Sequence, residues 1–194
     1  MGKFINKIPP ILLLLVLSVS GFFVGIFTIA LWQENFLISE NVLGQEFMYQ
    51  AADLNIDKRA LFFLCFGRRL RAFFLLFLLA FSSVNFFSNI LFFFLNGVYV
   101  GSVMELLTIR YGIQGSLMYL LFILPHGIFY ATGFLSLGCW CLKLDMVQSG
   151  IQDKKVGKMK AGLNKRIIVY AFFLVLIGVL LESFINSKIF FLFI

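Results

Sequence analysis

From Ala72 to Tyr111 the only charged residues are Glu105 and Arg110, and Phe and Leu fill most of the rest. A helix needs roughly 20 apolar residues to cross the hydrocarbon core of a bilayer. The run is too long for one crossing and suits two joined by a short turn. Ser82, Ser83, Asn85, Ser88 and Asn89 supply polar residues where that turn belongs. This doubling sets on which side of a membrane every later connection falls.

Composition excludes a soluble domain. Charged residues make up 13% of the chain, against about 25% in ordinary soluble proteins. Mean hydropathy is +1.00, and 27 Phe side chains exceed what a 194-residue soluble core could hide. The net charge of +7 is concentrated at Lys143, Lys154, Lys155, Lys158, Lys160, Lys165 and Arg166, opposed only by Asp145 and Asp153. This basic stretch joins two apolar segments, so it reads as a cytoplasmic loop beside anionic lipid headgroups. No nucleic-acid partner is expected.

The pattern predicts an all-α, polytopic membrane bundle of about five crossings, at residues 9–32, 72–87, 88–109, 116–142 and 167–184. Pro9 and Pro10 suit a helix start, and Trp32 an interfacial position. Lys3 and Lys7 before the first apolar run also fit a signal peptide. That run is long for one, and no A-x-A site follows it, so a retained anchor is favoured. Between the first two crossings, residues 33–71 form the longest polar region, with amphipathic stretches around Phe47, Ala51 and Leu54 and from Leu61 to Leu70. Such stretches suit a membrane surface. An arginine at mid-membrane costs about 2.5–3.5 kcal/mol, so the second crossing is expected to begin after Arg68, Arg69 and Arg71.

Orientation follows from charge. Lys3 and Lys7 place the N-terminus in the cytoplasm, and the loop at residues 143–166 belongs there too. An even number of crossings must separate them, which leaves the C-terminus outside. The expected location is the bacterial cytoplasmic membrane. Arg68, Arg69 and Arg71 then fall on the outer side, offset by Glu34, Glu40, Glu46, Asp53 and Asp57.

Small residues recur at four-residue spacing: Gly21 and Gly25, Gly97 and Gly101, Gly127 and Ala131. Such ridges let membrane helices approach closely; packing within the chain is preferred to dimerisation. Asn96, beside Gly97, is expected to find a hydrogen-bond partner on another helix. Pro125, His126 and Gly127 predict a kink in the fourth crossing. His126 is the only histidine. It has two readings: a neutral imidazole bonded to a carbonyl freed by Pro125, or a proton-sensing or partner-contacting group. Glu105, Arg110 and Glu182 read as interfacial residues.

Nothing in the chain has the spacing of a catalytic motif: there is no G-x-S-x-G, no phosphate-binding glycine loop and no H-E-x-x-H. Cys65, Cys139 and Cys141 have neither metal-site spacing nor a matching histidine and read as small apolar residues. No catalytic residue, cofactor or metal is expected.

Leu95-Asn96-Gly97-Val98-Tyr99-Val100-Gly101, followed by Leu124-Pro125-His126-Gly127-Ile128-Phe129, resembles the stage II sporulation protein M family, which pairs an N-G-x-x-x-G motif with a P/H-G-I-F motif in the next span. The closing run from Gly178 to Ile185, the size and the basic loop agree with that resemblance. Tyr130 stands where many relatives carry a Glu. The resemblance implies a non-enzymatic scaffold in a membrane complex that remodels peptidoglycan during forespore engulfment. Its implied partners are membrane or membrane-anchored proteins, peptidoglycan hydrolases among them, and the lipid bilayer. Broader relatives lie beside transporter genes, which keeps open a second class, the membrane subunit of an ABC-type transporter.

Overall fold

The computed structural model describes residues 9–32, 58–148 and 165–184. They form five helices: α1 (Pro10–Leu31), α2 (Lys58–Leu79), α3 (Asn85–Tyr111), α4 (Ile113–Gln148) and α5 (Lys165–Phe184). The protein is an all-helical membrane bundle. Of its helices, α1, α3, α4 and α5 are each long and apolar enough to cross a bilayer.

Each connection has a local cause. Pro10 occupies the start of α1, where its missing N–H leaves no bond unmade. Between α2 and α3, the Ser82 N–H donates to the Leu79 carbonyl at 3.0 Å and the Asn85 N–H to the Ser82 carbonyl at 3.2 Å. The expected serine-rich turn is there, but it closes before Asn85. Gly112 alone separates α3 from α4. Its φ of +62° is favourable only to glycine, and its N–H donates to the Thr108 carbonyl at 2.8 Å.

Consecutive helices alternate in direction. Ser18 meets Gly97 and Phe22 meets Gly101, so α1 runs parallel to α3. Asn85 bonds to Cys141 at one end of the α3–α4 pair, and Thr108 to Ser116 at the other, so these two are antiparallel. Phe73 faces Phe134 and Phe77 faces Trp140, which sets α2 parallel to α4. Gly133 beside Val175, and Tyr130 beside Glu182, make α5 antiparallel to α4. The start of α1, the α2–α3 turn, the end of α4 and the start of α5 therefore share one end of the bundle.

Two helix pairs dominate the packing, α1 with α3 and α4 with α5, and α2 leans on α5 more than on α3, its neighbour in sequence. Leu14, Phe73, Leu76, Leu137, Val175 and Val179 form the buried core. Phe23, Phe27, Phe87 and Phe173 point outward, as expected where lipid replaces water.

The second helix differs from expectation. It begins at Lys58 and continues through Arg68, Arg69 and Arg71 rather than after them. Residues 58–71 thus belong to a helix of the bundle, including the stretch expected to be surface-lying from Leu61 to Leu70. The stretch around Phe47, Ala51 and Leu54 lies outside the described residues, as does most of the basic loop. The fourth helix is continuous through Pro125.

Candidate functional site

Three helices each bring a pair of residues four apart, hence on one helical face, to a single point. These are Cys65 and Arg69 on α2, His126 and Tyr130 on α4, and Gly178 and Glu182 on α5. The Tyr130 hydroxyl donates to Glu182 Oε2 at 2.6 Å. Arg69 Nη2 lies 3.5 Å from Glu182 Oε1, so both carboxylate oxygens are engaged. The Arg69 guanidinium also stands over the Tyr130 ring, 4.4 Å from its centroid, which adds a cation–π attraction of up to about 2 kcal/mol when desolvated.

Gly178 makes this geometry possible: a Cβ there would stand 2.6 Å from Tyr130 Cε1. His126 is buried and packs edge-on against Tyr130, with ring centroids 5.5 Å apart. Arg69 and Tyr130 each lie at the midpoint of their helix, and Glu182 lies two residues from the end of α5. Arg69 can sit within a continuous α2 because the cost of an arginine among apolar residues applies to an unpaired one, and Arg69 has a carboxylate and an aromatic face. Glu182, near the end of its helix, is the counter-ion of Arg69.

A second polar cluster lies toward the end that holds the α2–α3 turn. Asn85 Nδ2 donates to the Cys141 carbonyl at 2.7 Å, and Asn89 Nδ2 donates to Asn85 Oδ1 at 2.8 Å. Both asparagines are fully buried. Asn85 plays the cross-helix role expected of Asn96, and Asn89 bonds to it from one turn along the same helix. Asn96 itself is exposed and donates to the Phe92 carbonyl of its own helix at 2.8 Å. A residue beside a buried glycine is turned about 100° away from it on the helix, so adjacency to Gly97 points Asn96 off the seam.

The glycine ridges sort in the same geometric way. Gly21 and Gly25 pack on the α3 backbone at Phe94 and Val98, while Gly97 and Gly101 pack on the α1 backbone at Ser18 and Phe22. At all four, an added Cβ would overlap a carbonyl oxygen of the other helix. The Ser102 hydroxyl adds a long hydrogen bond to the Gly25 carbonyl, at 3.4 Å. Gly127 and Ala131 form no such seam. An added Cβ at Gly127 would have only its own helix's Ile123 within 4 Å, and Ala131 is exposed. The close approaches of α4 are instead at Gly115, against the Leu107 backbone, at Gly133, against Ala171 and Val175, and at Gly138, against Phe93 and Leu14.

Chemically, the cluster shares one carboxylate between a guanidinium and a phenol. It clamps α2, α4 and α5 together. Among the described residues no group of three or more His, Cys, Asp or Glu is placed to hold a metal ion. Sequence reasoning missed Arg69, Tyr130 and Glu182 as partners, although a lone acid in an apolar helix and an arginine in another were the available signal.

Residues 11–187 match the family described as stage II sporulation protein M. No curated protein and no solved structure matches the chain.

Proposed function

The chain belongs to the stage II sporulation protein M family, and on that premise we propose that it is a non-enzymatic membrane scaffold for a peptidoglycan-degrading complex acting in septal wall remodelling and engulfment. The match over residues 11–187 is the observation that carries this reading. Supporting it, the polar groups that meet inside the bundle join helices to one another: Asn85 to Cys141, and Arg69 and Tyr130 to Glu182. A rigid frame of this kind suits a protein that presents surfaces to partners. In this reading the bundle lies in the bacterial cytoplasmic membrane. Its basic end, with Lys143 and Arg166, faces the cytoplasm and its C-terminus faces outward, on the side where wall hydrolases work.

The ion pair of Arg69 and Glu182 between helices favours a second reading, the membrane subunit of a transporter, since charged residues within membrane bundles mark substrate and ion pathways. Affinity purification from native membranes separates the two. Wall hydrolases recovered with the tagged chain support the scaffold. Recovery of a nucleotide-hydrolysing subunit without them supports the transporter and sinks the scaffold.

A further inference from the structure

The outward face of α3 carries two polar side chains that the bundle leaves unused. Phe87, Leu91, Leu95 and Tyr99 recur every four residues and are all exposed, and Asn96 is exposed beside them. Asn96 gives one N–H to the Phe92 carbonyl of its own helix; its other N–H and its Oδ1 have no partner among the described residues. The Tyr99 hydroxyl makes no hydrogen bond to them either. Being three apart, Asn96 and Tyr99 are neighbours on the helix surface. Their depth follows from length. The helix has 27 residues and is among those long and apolar enough to cross a bilayer, and at 1.5 Å per residue it is about 40 Å long. A hydrocarbon core of about 30 Å, placed anywhere along it, contains both residues. An exposed amide there meets no water, so its unpaired groups can be satisfied only by another membrane helix.

We infer that this face of α3 is a self-association surface whose occupant is the α3 of a second copy of the chain. All copies in one membrane share an orientation, so the two-fold axis of a dimer runs along the membrane normal. Two α3 helices then meet in parallel, with equal residues at equal depth, and Asn96 faces Asn96. A carboxamide is both donor and acceptor, so it is complementary to itself, as a carboxylate or guanidinium is not. Phe87, Leu91, Leu95 and Tyr99 carry no charge, so nothing on the stripe repels its own copy. A different partner needs a polar group of its own at the same depth, whereas a second copy brings one by symmetry. One polar residue in an otherwise apolar seam also fixes the register of the pair. The glycine ridge of α3 lies on another face, against α1, and is left intact. This inference goes beyond the scaffold and transporter readings and rests on neither.

The test uses the full chain in phosphatidylcholine vesicles, with donor and acceptor fluorophores on the N-termini of separate preparations and energy transfer read as lipid is added. The wild type is expected to show transfer that falls on dilution as a dimer dissociates. Asn96→Leu is expected to need about a tenfold higher protein-to-lipid ratio for the same transfer, and Asn96→Gln to keep most of the wild-type association. Both variants are expected to unfold in detergent as the wild type does, which separates lost association from lost fold. Cross-linking reads the surface independently. In native membranes, mild oxidation of Leu95→Cys is expected to give a disulfide-linked dimer above the background of the wild type's own cysteines. Val19→Cys is expected to give none, although Val19 is exposed on α1 at a similar depth, Ser18 being level with Gly97. Transfer no greater than chance proximity, equal association of the wild type and Asn96→Leu, or cross-linking at Val19→Cys in place of Leu95→Cys overturns the proposal. A Leu95→Cys adduct with another protein instead of a dimer assigns the face to a different partner and also overturns it.

Discussion

Glu182 has two partners, and their removal should have different consequences. Glu182→Gln leaves the Arg69 guanidinium without its counter-charge inside the bundle, at an expected cost of about 3–5 kcal/mol. Replacing both members, Arg69→Met with Glu182→Leu, should recover much of that loss because no orphaned charge remains. Thermal unfolding in detergent measures both; a double variant no more stable than Glu182→Gln would contradict the pairing. Tyr130→Phe keeps the ring beneath Arg69 and removes only the hydrogen bond to a charged group, a loss of roughly 1.5–3 kcal/mol. Asparagines should divide likewise. Asn85→Leu should cost about 0.6–1.7 kcal/mol, whereas Asn96→Leu, on an exposed side chain bonded to its own helix, should shift unfolding little. None of these distinctions was legible in sequence. Hydropathy counts each charge singly, and Arg69 and Glu182 acquire their meaning only when α2 and α5 are brought together.

Helices differ in how much of their placement the chain spells out locally. The α1–α3 seam was readable because close packing of two helices requires small residues one turn apart, and Gly21, Gly25, Gly97 and Gly101 have that spacing. Gly97→Leu or Gly101→Leu should drive a side chain into the α1 backbone and cost at least about 1–3 kcal/mol. Gly127→Ala should stay within about 0.5 kcal/mol, since its new methyl would lie 3.6 Å from Ile123 Cγ2. Comparing the three by unfolding in detergent checks the assignment; equal effects would contradict it. The same spacing rule failed at Gly127 and Ala131 because periodicity identifies a face, not what the face meets. The start of α2 was missed for a related reason. A run of arginines signals an interface only while each is assumed unpaired, and Arg69 is not.

At the scale of the molecule, alternation of all five helices makes α2 the element that decides orientation. If α2 crosses the membrane, the start of α1 and the segment between α4 and α5 share a side, and the basic residues from Lys143 to Arg166 stay with the N-terminus. Without that crossing they would be exported, against the usual bias of basic loops toward the cytoplasm. The helical bundle and the turn that divides the Phe-rich middle were legible from length and from its serines, because a bilayer imposes a fixed span on a crossing helix. The helix before that turn instead starts at Lys58 and is not among the four long and apolar enough to cross. Cysteine labelling of intact cells reads the result directly. With single cysteines at Lys158 and at Ile113, which is 79% exposed at the opposite end of the bundle, a membrane-impermeant maleimide should modify Ile113→Cys and spare Lys158→Cys until the cells are opened. Labelling of Lys158→Cys in intact cells would invert the bundle, and would place the outward surfaces assigned to hydrolase partners inside the cell.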